Sequence, residues 1–159
     1  MDGMKTNKII VTRQADITAK HENHTEYEYY KHLVLPKKGN QCTVAVMEIP
    51  PGKAAYPYHY HVGITEVFYI ISGEGKLETP EGEKKIAMGD VIVFPPGESG
   101  GHKIWNTSES ATLRYIDVDT TTMSDVIFYP ESEKVGMVLN GTPHSYYKEE
   151  DKTGYYDGE

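Results

Sequence analysis

Three side chains able to ligate a metal fall within eight residues of this chain: His59, His61 and Glu66, in Gly52-Lys-Ala-Ala-Tyr-Pro-Tyr-His-Tyr-His-Val-Gly-Ile-Thr-Glu66. On an extended backbone alternate side chains share a face, so the two imidazoles project together while Tyr58 and Tyr60 point away. One ion can then serve both. Glu66 lies an odd number of residues beyond His61, and a straight strand would carry its carboxylate to the wrong face. Val62-Gly-Ile-Thr65 must therefore turn the chain back, and Gly63 is the residue suited to that turn. A fourth ligand is offered by Gly89-Asp-Val-Ile-Val-Phe-Pro-Pro-Gly-Glu-Ser-Gly-Gly-His-Lys-Ile-Trp-Asn106, where an apolar strand ends at Pro95-Pro96-Gly97 and a Gly-rich loop follows. In the next strand His102, Ile104 and Asn106 share one face, so an imidazole enters from a second direction. Three imidazoles and one carboxylate suit a single divalent transition metal, Mn, Fe, Ni or Zn. They leave it a residual charge of about +1 and, if octahedral, two open positions. Such a centre can polarise a carbonyl and stabilise an enediolate, or act as the Fe(II) of a dioxygenase. A general acid or base must sit near it, and Tyr56, Glu98 and Asn106 are candidates by proximity in sequence. An anionic substrate could be held by Lys53, Lys103 or the Gly100 and Gly101 amides, although solvation is the expected role of both lysines.

The elements that must position these groups are short strands. They are expected at His32 to Leu35, Cys42 to Ile49, Tyr58 to His61, Glu66 to Ser72, Gly75 to Glu78, Lys84 to Ala87, Val91 to Phe94, His102 to Asn106 and Thr112 to Val118. Turns at Gly73-Glu-Gly75, Thr79-Pro-Glu-Gly82 and Met88-Gly-Asp90 give the spacing of an all-β sandwich or barrel. Residues 1 to 30 read as loop and edge strand, and His21-Glu-Asn-His24, which lacks apolar scaffolding, as a solvated loop rather than a site. A further hairpin is expected from Val126 to Tyr129 and Lys134 to Leu139. Glu66, Phe68 and Ile70 should line one interior face and Val91, Val93 and Pro95 another, with the ligands at one mouth of a small-molecule pocket. Tyr58, Tyr60, Val67, Tyr69 and Ile71 make the opposite face too apolar to stay wet. A homodimer through that outer sheet is expected, the alternative being cover by the N-terminal arm or the tail.

The two ligand segments resemble the paired motifs of the cupin superfamily: G-x6-H-x-H-x4-E-x6-G from Gly52 to Gly73, and G-x5-P-x-G-x4-H-x3-N from Gly89 to Asn106. The first spacing from Gly to His is one residue longer than usual, and the spacing from Gly97 to His102 two residues longer. A small group of single-domain cupins labelled sugar-phosphate isomerases is similar in that longer spacing, and locally in the tail from Asp125-Val-Ile-Phe-Tyr-Pro130 to Tyr155-Tyr-Asp-Gly-Glu159. The resemblance implies a double-stranded β-helix, or jelly-roll barrel, over residues 41–119. An N-terminal arm and edge strand would occupy 1–40, and a C-terminal hairpin with an acidic tail, packed on the barrel or on a dimer partner, 120–159. With the residues it leaves three functions open: a metal-dependent isomerase of a small hydroxylated or keto acid or sugar, an Fe(II) dioxygenase, and a non-catalytic small-molecule binder. Only Arg13 and Arg114 could fork a phosphate, and they lie far apart in sequence.

Composition narrows the classes further. At 159 residues the chain is one domain, and a net charge of -8 with no basic stripe argues against nucleic acid. The first residues lack the apolar core of a secretory signal and no apolar run approaches a membrane span, so a cytoplasmic protein without membrane contact is expected. The single cysteine, Cys42, reads as a small buried hydrophobe.

Overall fold

The computed structural model describes residues 8–139 and 144–159; residues 1–7, the start of the N-terminal arm, and 140–143, within the C-terminal segment, lie outside the described residues. Strands dominate: β1 (Lys20–His24), β2 (Tyr27–Leu35), β3 (Cys42–Ile49), β4 (Tyr60–His61), β5 (Glu66–Ser72), β6 (Glu74–Thr79), β7 (Gly82–Ala87), β8 (Val91–Phe94), β9 (Lys103–Asn106), β10 (Leu113–Thr120), β11 (Ser124–Tyr129), β12 (Lys134–Leu139) and β13 (Ser145–Lys148). They form one six-stranded sheet, β1-β2-β3-β10-β5-β8, and two smaller sheets, β13-β12-β11-β4 and β7-β6-β9. A bridge between His59 and His102 joins the two smaller sheets edge to edge, each residue donating its backbone N–H to the other's carbonyl at 3.1 and 2.9 Å. The result is the all-β, two-layered jelly roll expected from the strand spacing.

Alternation builds the core. Along β3, Thr43, Ala45, Met47 and Ile49 turn inward, along β5 Glu66, Phe68 and Ile70, and along β10 Leu113, Tyr115 and Asp117. Ile49, Ile70, Leu113, Tyr115 and Met47 are fully buried at one end of the interior, with Phe68, Phe94, Leu77 and Ile104 packed against them. The inward rows become polar towards the other end, where Thr43, Glu66 and Asp117 lie.

Several expectations are corrected. On β8 the inward residues are Ile92 and Phe94, while Val91 and Val93 are 66% and 59% exposed and Pro95 is exposed as well. Register decides this: Glu66 opposes Phe94 and Phe68 opposes Ile92, and directly opposed residues share a face. His21-Glu-Asn-His24 is strand rather than loop, forming β1 against β2, with the His21 ring stacked on Tyr30 at 4.2 Å. Its histidines hydrogen-bond Glu28 and Glu22 at 3.0 Å each, so the segment is a polar, hydrogen-bonded edge. Gly63 does not take a positive φ; its value is closeness, since a Cβ there would lie 3.2 Å from an Asp125 carboxylate oxygen. Cys42 is half-buried.

The outer face of the large sheet is partly covered by the N-terminal arm. Ile17 accepts a hydrogen bond from His32, and Gln14 one from Arg114. Tyr69, Val91 and Val93 stay exposed beyond its reach. No helix among the described residues is long and apolar enough to cross a membrane.

Candidate metal centre

The His59–His102 bridge places two imidazoles on one face, because residues paired across neighbouring strands project together. Their rings lie 4.7 Å apart. His61, two residues further along, rejoins that face with its ring 5.3 Å from His59, while Tyr60 turns outward to stack on Phe128. Glu66 comes from the opposite layer, as the first inward residue of β5. Donor atoms of His59, His61 and Glu66 all lie within 4.8 Å of one another. His102 meets the same carboxylate from the other side: Glu66 Oε1 is 3.6 Å from His61 Nε2, and Oε2 is 3.6 Å from His102 Nε2.

The tautomers follow from the partners. Nδ1 of His59 faces the Pro57 carbonyl at 2.9 Å, Nδ1 of His102 the Gly100 carbonyl at 2.9 Å, and Nδ1 of His61 the Asp125 carboxylate at 2.5 Å. A carbonyl or carboxylate only accepts, so each Nδ1 carries the proton and donates it. Burial, with neighbouring histidines adding to it, lowers His59 to about 4 and His102 well below the ordinary imidazole value, so both rings are neutral. The Nε2 atoms of His59 and His102 then present bare lone pairs. Burial raises the Glu66 carboxyl to about 7, with His61 working in the opposite direction.

At 3.6 Å the Glu66 oxygens are too far from the His61 and His102 nitrogens for hydrogen bonds and leave room for a cation between them. Ligand bonds of about 2.1 Å to one shared ion would put neighbouring donors roughly 3.0 to 3.4 Å apart, close to the 3.6 Å separations found. The residues fit a divalent transition ion. Asp125 supplies the support that metal-binding histidines usually have, its carboxylate taking the His61 proton at Oδ2 and the Gly63 N–H at Oδ1, 2.8 Å away. Burial alone would raise its carboxyl, but those hydrogen bonds outweigh it and hold it below the usual range. Asp125 was legible in the sequence only as a member of the tail; its 64-residue separation from His61 hides the pairing.

A cavity of about 550 Å³ opens over this cluster, lined by His59, His61 and Glu66 on one side and by Tyr56, Asp117 and Asp119 on another. His102 does not line it; the ring is buried behind, stacked on Phe94 at 3.7 Å. Of the three acid–base candidates only Tyr56 lines the cavity, its phenol raised by burial and so held protonated. Glu98 is exposed on a one-turn 3-10 helix, where proximity in sequence has not become proximity in space. Asn106 is buried, but its amide donates to the Ile49 and Ala111 carbonyls at 2.8 and 2.7 Å and its oxygen accepts from Ser108. It staples strand ends and does not reach the cavity. The anion-holding candidates are also engaged. The amides of Gly100 and Gly101 close turns onto Gly97 and Glu98, and Lys53 donates to the Thr25 carbonyl. Lys103, far from solvated, is 5% exposed, lies over Trp105 and Tyr27, and pairs with Glu26.

A jelly roll whose two layers meet at imidazole and carboxylate groups beneath an open cavity has the layout of a cupin-type domain. Residues 45–119, a little under half of the chain, match the Cupin_2 family, described as a cupin domain, and these residues form a small cupin domain. An oxalate-binding protein of Thermotoga maritima is 38% identical over 66 residues, 42% of this chain and 52% of the relative, so the match spans about half the relative's length. A structure from Acidithiobacillus ferrooxidans, provisionally named a sugar phosphate isomerase, superposes with a TM-score of 0.77 over 91% of this chain and 95% of that one. At 24% identity that likeness shows the fold. A Thermotoga maritima protein predicted to be an oxalate decarboxylase gives 0.63 at 28% identity, over 71% of this chain and all of that one.

Proposed function

We propose that this chain is a mononuclear, metal-dependent enzyme of the isomerase type acting on a small hydroxylated or keto acid or sugar, with His59, His61, Glu66 and His102 holding one Mn, Fe, Ni or Zn ion. The observation that carries this reading is the convergence of the His59, His61 and His102 rings on the single buried Glu66 carboxyl, each with its Nδ1 held by a carbonyl or carboxylate oxygen. The ion, when bound, supplies the positive charge that polarises a carbonyl and steadies an enediolate. The protein's own groups orient and exclude. Asp125 fixes the His61 ring, the neutral Tyr56 phenol offers a proton donor to a substrate oxygen, and the buried Phe94 and Phe68 rings keep water from the far side of His102.

The test is elemental analysis of protein purified without added metal, followed by NMR assays of aldose–ketose interconversion with and without chelator. One ion per chain and chelator-sensitive turnover are expected; protein lacking stoichiometric metal even after reloading sinks the reading. Chelator-sensitive oxygen uptake would mark the dioxygenase instead. A ligand that raises the melting temperature without turnover would mark a binding protein, a reading favoured by the name of the oxalate-binding relative. Asp125→Asn should keep the fold and weaken metal affinity roughly 10- to 100-fold, the usual loss when a ligand's orienting partner is removed. Unchanged affinity in a competition titration would show that Asp125 does not support the centre.

The proposal includes a homodimer through the outer face of the large sheet, where Tyr69, Val91 and Val93 are exposed together. Light scattering should give twice the chain mass, and Val93→Lys should shift it to one. A wild-type monomer at high protein concentration refutes the dimer.

A further inference from the structure

The family-matched segment, residues 45–119, supplies His59, His61, Glu66 and His102, but much of the remaining cavity lining comes from the two flanks of the chain. Each flank brings a lysine. Lys37 sits in the turn that follows β2, closed by the Asn40 N–H on the Lys37 carbonyl at 3.1 Å and by the Asn40 side-chain amide on the Pro36 carbonyl at 2.9 Å. Lys134 opens β12 directly opposite Tyr129 of β11, so the two side chains share a face, and its Nζ lies 5.4 Å from the Tyr129 ring centroid. The same ring stacks on His59 at 5.8 Å, which leaves one tyrosine between the Lys134 cation and the imidazole cluster. Both lysines are half-buried and, among the described residues, neither pairs with a carboxylate. The acids of the cavity are taken. Lys31 lies 3.5 Å from Asp117, Asp117 and Asp119 hydrogen-bond each other, and Asp125 is held by His61 and Gly63. Lys38 and Lys85 also lack a carboxylate, but they are exposed and water solvates them. In a chain of net charge -8, two half-buried lysines without an acid at one cavity leave room for an anion brought by a ligand.

Building on the metal-dependent reading above, we propose that Lys37 and Lys134 form an anion-binding end of this cavity, so that the ligand is bifunctional: a carbonyl or hydroxyl end meets the imidazole cluster and a terminal carboxylate or phosphate meets the lysines. An ammonium head offers three donors to carboxylate or phosphate oxygens alike, without the planar fork of arginine. A neutral sugar would leave both cations without a counter-charge, whereas an acidic one satisfies them. The flanks of the chain then select the charged terminus, while residues 45–119 hold the reacting end.

The test is calorimetric titration of metal-loaded and chelator-stripped full-length protein with glucose, glucuronate and glucose 6-phosphate, which share a carbonyl end and differ in a terminal hydroxyl, carboxylate or phosphate, and with ribose beside ribose 5-phosphate. At least one charged sugar should bind the loaded protein about tenfold or more tighter than its neutral parent, the worth of one charge-assisted hydrogen bond. Preference for glucuronate would mark a carboxylate terminus, and preference for the sugar phosphates a phosphate. Lys37→Gln and Lys134→Gln should each weaken that binding about tenfold, with metal content, melting temperature and affinity for the neutral sugar close to wild type. If no charged sugar binds better than its parent, or both glutamine variants bind as wild type does, the lysines are not a ligand site, whatever the metal content. If the wild type holds no metal but still prefers a charged sugar in a lysine-dependent way, the metal-centre reading falls and the anion site stands.

Discussion

Replacing His61 with alanine is expected to strip the purified protein of its transition metal while leaving a folded jelly roll. His61 is proposed as a ligand, and it is the one histidine of the cluster that is only half-buried at the cavity mouth, so its removal opens little void in the core. Its loss should cost more affinity than the roughly 10- to 100-fold that follows from losing an orienting partner such as Asp125. Elemental analysis should fall from one ion per chain to traces. Circular dichroism should keep its β signature, and melting should drop modestly because the Asp125 carboxylate loses its shortest partner and keeps its backbone N–H partners at Gly63 and Val126. Full metal content in the folded variant would remove His61 from the proposed ligand set.

Phe68→Ala is expected to produce the opposite pattern, with heavy loss of stability and metal chemistry damaged only through unfolding. The ring is 3% exposed and packs at once against Phe94, Tyr115 and the back of His102, with centroids at 4.9, 4.6 and 5.7 Å. Deleting it leaves a void between the two layers that rigid strands cannot collapse to fill, at a cost of about 3 to 5 kcal/mol. Urea unfolding should show the midpoint falling with an unchanged slope. A loss below about 1 kcal/mol would mean that the interior repacks far more easily than its density suggests.

Where an apolar run is bounded by turn residues, the strand was readable. Cys42 to Ile49 and Glu66 to Ser72 are strands at the expected bounds, because each is a short apolar, β-branched and aromatic run with turn residues at both ends. On β8 a continuous apolar run, Val91 to Phe94, has no parity of its own, and only pairing with β5 decides that Phe94 rather than Val93 turns inward. The β1–β2 hairpin was hidden because an edge strand needs no apolar face; its histidines and glutamates pair across the strand surface instead. Glu98 and Asn106 lie close to His102 in sequence yet sit on a surface turn and in a backbone staple. Asp125 and Asp117 act on the cavity from strands paired at long range, which no local spacing reveals. The Asp117 signal was nonetheless present. It shares parity with Leu113 and Tyr115, and an acid at an inward position of an apolar strand is a reason to look for what it faces.

The graded row on β10 has a practical consequence. One end of a single strand anchors the hydrophobic interior, and the other borders the cavity, so one backbone carries both the packing and the lining. Changes at 113 and 115 should therefore be felt first as lost durability, whereas half-buried positions at the other end, such as 119, can be varied with the interior left intact.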